Sequence, residues 1–115
     1  MTAPQAPADT EVPTGNAYDK YGSTNPVVRR LMAAFEGTLD ALFAQADPAS
    51  VLDVGCGEGV LTTRWAERSG DSRIVGIDLP DPKLEAHWRD SSRENLEFTT
   101  GRAEQLPFER DEFDL

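Results

Sequence analysis

Val51-Leu52-Asp53-Val54-Gly55-Cys56-Gly57-Glu58-Gly59 is the stretch on which the fold turns. An apolar strand runs into a turn with glycine at alternate positions, and a helix-forming stretch follows. Glycine is needed in such a turn because a Cβ would clash there or forbid the dihedrals. The free N–H groups of the following helix point at the same spot. Residues 53 to 59 are therefore expected to hold a small polar or nucleotide-like ligand. The next strand-like run, Arg73-Ile74-Val75-Gly76-Ile77-Asp78, ends in a carboxylate at the distance where a ribose-binding acid belongs. Together these features predict a nucleoside-cofactor site.

Outward from this loop, strand and helix signals alternate. Strand one is expected at about Ser50 to Val54, a helix from about Gly59 to Ser69, and strand two from Arg73 to Asp78. A second helix should open with Asp81 as cap and Pro82 in its first turn, with Leu84 and Trp88 inward. Strand three follows at about Leu96 to Thr100. Alternation of this kind builds an open parallel sheet. Upstream, Thr24 or Asn25 can cap a helix that Pro26 opens; Val28, Leu31, Met32, Phe35, Leu39, Leu42, Phe43 and Ala46 recur at spacings of three and four. Asp47-Pro48 ends it. Residues 1–17, with Pro4, Pro7 and Pro13 and little to bury, are expected to be a disordered tail.

The glycine spacing narrows the ligand. A dinucleotide fingerprint would place its last glycine at Val60, whereas the chain reads Asp53-x-Gly55-x-Gly57-x-Gly59. Asp53 and Glu58 oppose a pyrophosphate but suit a ligand bearing an ammonium and a sulfonium. With Asp78 closing strand two, the pattern resembles the class I S-adenosylmethionine (SAM) dependent methyltransferases. A third segment is similar to the small-molecule (type 11-like) branch of that family: Phe98-Thr99-Thr100-Gly101-Arg102-Ala103-Glu104-Gln105-Leu106-Pro107-Phe108, then Phe113-Asp114-Leu115. The resemblance covers roughly residues 18 to 115.

The resemblance implies an α/β fold: a Rossmann-like doubly wound parallel sheet, incomplete, with three strands and the start of a fourth beside strand one. It makes residues 18–115 the N-terminal half of such a domain. It implies SAM as cofactor and methyl transfer to a small-molecule acceptor. The backbone of Gly55, Cys56 and Gly57 would surround the methionine part, and Asp53 would hold the ammonium or orient the loop through backbone N–H groups. Asp78 would accept from the ribose hydroxyls, and Leu79 would pack on the adenine. Glu104 and the backbone at Arg102 and Ala103 would frame the adenine edge, although Arg102 stands where the family usually has an acid. Tyr18 or Tyr21 would close over the cofactor as a lid or anchor the tail. No catalytic base is named, because relatives draw acceptor-binding residues largely from later segments. Alternatives are a SAM-binding regulator or inactive partner subunit, and a nicotinamide-dependent oxidoreductase with a variant loop.

Composition bounds the remaining classes. A net charge of −10 leaves no basic stripe for phosphates, which argues against nucleic acid. The single cysteine excludes an internal disulfide framework. Cys56 lies near a helix N-terminus, where a thiolate would be favoured, yet no histidine is near it in sequence to act as base. His87 alone makes no metal site, and the acidic group Glu104, Glu109, Asp111, Glu112 and Asp114 lacks octahedral ligand spacing. No apolar run reaches spanning length and residues 1–17 lack a signal-peptide core, so a cytoplasmic location is expected. Strand four would begin only at Phe113, so the sequence is expected to be part of a longer protein. Self-association or a complementing C-terminal half through the open sheet edge follows as a further expectation.

Overall fold

A computed structural model describes residues 22–115; the expected tail, Tyr18 and Tyr21 lie outside these. The chain divides into two units between Thr38 and Leu39, and the glycine loop belongs to the second. Helix α1 (Pro26–Ala46) begins in the first unit. Of the two candidate caps, Asn25 is used: its side-chain oxygen accepts the Val27 N–H at 2.9 Å. The expected apolar stripe is present, but none of the helix is buried, and Val27, Leu31, Phe35 and Leu42 are exposed.

In the second unit, β1 (Ser50–Val54), α2 (Val60–Arg68), β2 (Arg73–Asp78), α3 (Pro82–Ser91) and β3 (Leu96–Thr100) alternate as expected. The three strands form one parallel sheet in the order β1-β2-β3. The sheet extends on the other edge of β1. Asp114 and Leu115 donate their N–H groups to the Ser50 carbonyl, and Leu52 donates to the Leu115 carbonyl at 2.8 Å. This backbone pairing lies where a fourth strand is expected beside β1, and the three parallel strands are those of an incomplete Rossmann-like α/β sheet. Arg73 fixes this last segment to β2, pairing with Glu112 at 3.1 Å and lying over the Phe113 ring at 5.0 Å.

Register sets what each face carries. Val51, Ile74 and Leu96 lie in one row across the sheet and pack under Ala66 of α2, with Phe43 and Trp65 against them. Two positions further along, the row reads Asp53, Gly76, Phe98. Trp88 of α3 stacks on Phe98, with ring centroids 5.4 Å apart, so α3 covers the same face. On the opposite face, a Cβ at Gly101 would lie 2.7 Å from Ile77 Cδ1 and 3.5 Å from Pro107. The last turns of α1 join α2 through Asp40, which takes a two-pronged bond from Arg64, the shorter 2.6 Å, and a contact from Arg68 at 3.3 Å. Among the described residues, no helix is long and apolar enough to cross a membrane.

Candidate functional site

The site is built at the C-terminal ends of β1 and β2, where ligands of open α/β sheets bind. The chain leaves β1 at Val54, and both Gly55 and Cys56 donate their N–H groups to the Ile77 carbonyl, at 2.8 and 3.1 Å. The loop therefore starts clamped to β2. Its three glycines all adopt left-handed backbone, with φ of 75°, 60° and 87° at Gly55, Gly57 and Gly59. Gly59 is itself the cap of α2, which is why the helix starts at Val60 rather than at the glycine.

The reason for glycine differs along the loop. At Gly55 and Gly57 a Cβ would meet nothing within 4 Å, so the positive φ alone demands glycine and the space beside them is open. Of the two expected reasons for glycine, clash or forbidden dihedrals, the dihedrals apply at these two positions, and no atom of the chain stands in the way of a Cβ. Clash occurs at Gly59, where a Cβ would lie 2.6 Å from the Phe98 ring, and at Gly76, where it would lie 2.7 Å from that ring and 3.0 Å from Cys56 Sγ. Phe98, far away in sequence, is thus the floor of the loop.

Asp78 ends β2 half-buried and holds the loop directly. Its Oδ2 accepts the Gly57 N–H at 2.8 Å and its Oδ1 accepts the Leu79 N–H at 2.7 Å. It is neither a helix cap nor a solvated strand end. Each carboxylate oxygen has a second lone pair, so both remain able to accept from a ligand hydroxyl. Leu79 follows, partly buried.

Asp53 is oriented differently from expectation. It accepts from the hydroxyl of the fully buried Thr62 at 2.8 Å, rather than from backbone N–H groups. Burial raises its carboxyl above the ordinary range; the Thr62 bond acts against this, and the Asp78 charge adds to it. A carboxylate so placed gains from a cationic ligand. Its ionisation also costs the fold stability: the proton-bound contribution is present below the unfolded carboxylate pKa and is lost as pH rises through the folded one. Asp53→Asn, which keeps an oxygen for Thr62, is expected to raise the melting temperature at neutral pH. It should leave melting nearly unchanged at pH values well below the carboxylate range. Thermal melts at both pH values check this, and an Asn variant that melts no higher than the parent at neutral pH would refute it.

Cys56 corrects an expectation. Burial pushes its thiol up to about 12, and the negative charges of Asp53 and Asp78 add to the effect. Desolvation and two carboxylates outweigh the helix N-terminus, so a thiolate is disfavoured, which adds to the lack of a nearby histidine as an argument against a nucleophilic role. Iodoacetamide is expected to alkylate Cys56 at least roughly a hundredfold more slowly than a free cysteine near neutral pH. Mass spectrometry of timed quenches measures this; labelling at the free-thiol rate would overturn the assignment.

The segment after β3 is more open. Arg102 is exposed and turns onto Glu104, with Nε donating to Oε1 at 2.7 Å, while Ala103 is exposed beside it. The acidic residues nearby are spent on local bonds: Glu112 on Arg73 and the Glu109 N–H, and Asp114 on the Ala49 N–H. Among the described residues no group of acidic, histidine or cysteine side chains is placed to hold a metal. His87 is exposed, 3.8 Å from Glu58. Sequence reasoning missed Thr62, Phe98 and the indole of Trp88, whose Nε1 donates to the Gly57 carbonyl at 2.8 Å. Gly55 and Gly57 thus leave open space beside the loop, and Asp53 and Asp78 bound it with carboxylates.

The profile of a family described as a methyltransferase domain matches residues 51–115. The chain is 34% identical over 113 residues to the erythromycin 3''-O-methyltransferase of Saccharopolyspora erythraea, covering 92% of this chain and 37% of that protein. It is 38% identical over 105 residues to the malonyl-[acyl-carrier protein] O-methyltransferase of Geobacter sulfurreducens, covering 85% of this chain and 35% of that protein. It is also 37% identical over 70 residues to the demethylmenaquinone methyltransferase of Lactococcus lactis subsp. lactis, covering 57% of this chain and 28% of that protein. The chain thus spans about a third of the length of the curated relatives it matches. No solved structure gives a significant match.

Proposed function

The chain belongs to the class I SAM-dependent methyltransferase family, and from that premise we propose that it supplies the cofactor-binding half of an enzyme methylating a small-molecule acceptor. The observation that carries this reading is the loop at Gly55 and Gly57, open on one side and bounded by Asp53 and Asp78. When bound, SAM supplies a methyl group already activated by its sulfonium leaving group. The residues of this chain then bind and orient. The backbone of Gly55, Cys56 and Gly57 lines the methionine part, Asp53 attracts the ammonium, and Asp78 accepts from the ribose. Leu79 packs on the adenine, and the backbone at Arg102 and Ala103 meets its edge. Displacement at a sulfonium-bound methyl asks the protein mainly for alignment and exclusion of water.

A small acceptor is supported by which relatives match most of the chain. Those covering 92% and 85% of it are named for erythromycin and for a malonyl group on acyl-carrier protein. The ribosomal protein L11 methyltransferases match over 57% of it, the same share as the demethylmenaquinone methyltransferase. The test is calorimetric titration of the intact protein with S-adenosylhomocysteine and with NAD, followed by transfer from labelled SAM to a panel of small hydroxyl compounds. Saturable binding of S-adenosylhomocysteine together with methyl transfer from SAM is the expected result. Binding without transfer to any acceptor would favour a SAM-binding partner subunit, and preference for NAD would overturn the cofactor assignment.

A further inference from the structure

We propose that Trp88 is a positioning residue for the cofactor loop, its indole N–H setting the Gly57 peptide in the orientation that ligand binding requires. The inference rests on the reading of the loop as a SAM site. Gly57 has no side chain and a φ of 60°, so its two dihedrals have little local support beyond a long bond from Cys56 Sγ to its carbonyl at 3.7 Å. They are held from outside. The N–H before its Cα donates to Asp78 Oδ2 at 2.8 Å, and the carbonyl after its Cα accepts from Trp88 Nε1 at 2.8 Å. Besides the Cys56 contact, one bond anchors the peptide on each side of the glycine, from two different elements, β2 and α3.

The anchor is itself rigid. Trp88 is buried, and its ring lies within 6° of parallel to Phe98. Phe98 in turn occupies the space that a Cβ at Gly59 or Gly76 would need. An indole nitrogen donates one hydrogen bond and accepts none, so it can only draw a carbonyl toward α3. The Gly57 carbonyl is thereby kept off the open side of the loop, where its partial negative charge would crowd an incoming ribose already facing Asp78. Trp65 offers a matched contrast: it too stacks on an aromatic ring, that of Phe43 at 5.6 Å, but its buried Nε1 has no partner among the described residues.

The test sets Trp88→Phe against Trp65→Phe in the intact protein, titrated with S-adenosylhomocysteine. Both substitutions keep a ring for the stack, and only the first removes a bond to the loop. Trp88→Phe is expected to weaken binding roughly five- to tenfold, while Trp65→Phe leaves it within twofold of the parent. A merely structural role would move both alike, and equal affinities in the two variants would overturn the proposal. A second readout needs no loop variant. In the NMR spectrum, with Trp65→Phe used for assignment, the Trp88 indole resonance should shift at saturating S-adenosylhomocysteine. A Trp88 resonance that stays fixed at saturation would overturn the proposal even if Trp88→Phe failed to fold. A parent protein that binds no S-adenosylhomocysteine would overturn the SAM reading itself.

Discussion

Gly59→Ala is expected to cost the fold roughly 2–5 kcal/mol, against about 1–2 kcal/mol for Gly55→Ala a few residues earlier. Both glycines sit in left-handed backbone, at φ of 87° and 75°, so an added methyl strains the two positions almost equally. The difference lies in what the methyl meets. At Gly55 it enters open space, whereas at Gly59 it lands 2.6 and 2.7 Å from two carbons of the Phe98 ring. That ring cannot easily retreat, because Trp88 is stacked on it. Overpacking therefore adds to strain at one site only. Urea denaturation of the two variants measures the gap directly, and equal midpoints would show that Phe98 does not brace the loop. Gly55→Ala should instead be felt in ligand binding, since its methyl projects into the space left beside the loop.

The same residues show what a sequence reading reaches and where it stops. The strands at Arg73–Asp78 and Leu96–Thr100 and the Asp81 cap of α3 fall where local signals put them. Local chemistry decides these: β-branched runs, a proline at the helix start, a carboxylate that accepts the Lys83 N–H. The glycine loop was legible because positive φ leaves a mark in composition. The Phe98 floor was not, since it depends on the row Asp53, Gly76, Phe98, which exists only once the strands are in register. Nor was the indole bond to Gly57, which spans 31 positions. The raised Cys56 thiol was hidden for a related reason. A helix N-terminus is visible in one dimension, but burial and the convergence of two carboxylates from different strands are not. The stripe on α1 had the right period, yet period does not say what will cover it, and no residue of that helix is buried.

Asp78→Ala is expected to weaken S-adenosylhomocysteine binding about ten- to a hundredfold, the largest functional effect of a single change at this site. The carboxylate has two jobs that one substitution removes together. It braces the loop through the Gly57 N–H, and it leaves a free lone pair on each oxygen for a ribose hydroxyl. Asp78→Asn should be no milder than a partial loss, because its amide can offer an acceptor to only one of the two N–H groups and turns a donor toward the other. The two jobs are separated by the ligand rather than by the protein. A 2′-deoxy form of S-adenosylhomocysteine should bind the parent more weakly than the parent ligand does, having lost a bond to Asp78. In Asp78→Ala that bond is already gone, so the deoxy form and the parent ligand should bind alike. If removing the hydroxyl costs as much in the variant as in the parent protein, Asp78 acts on the loop alone and the ribose is held elsewhere.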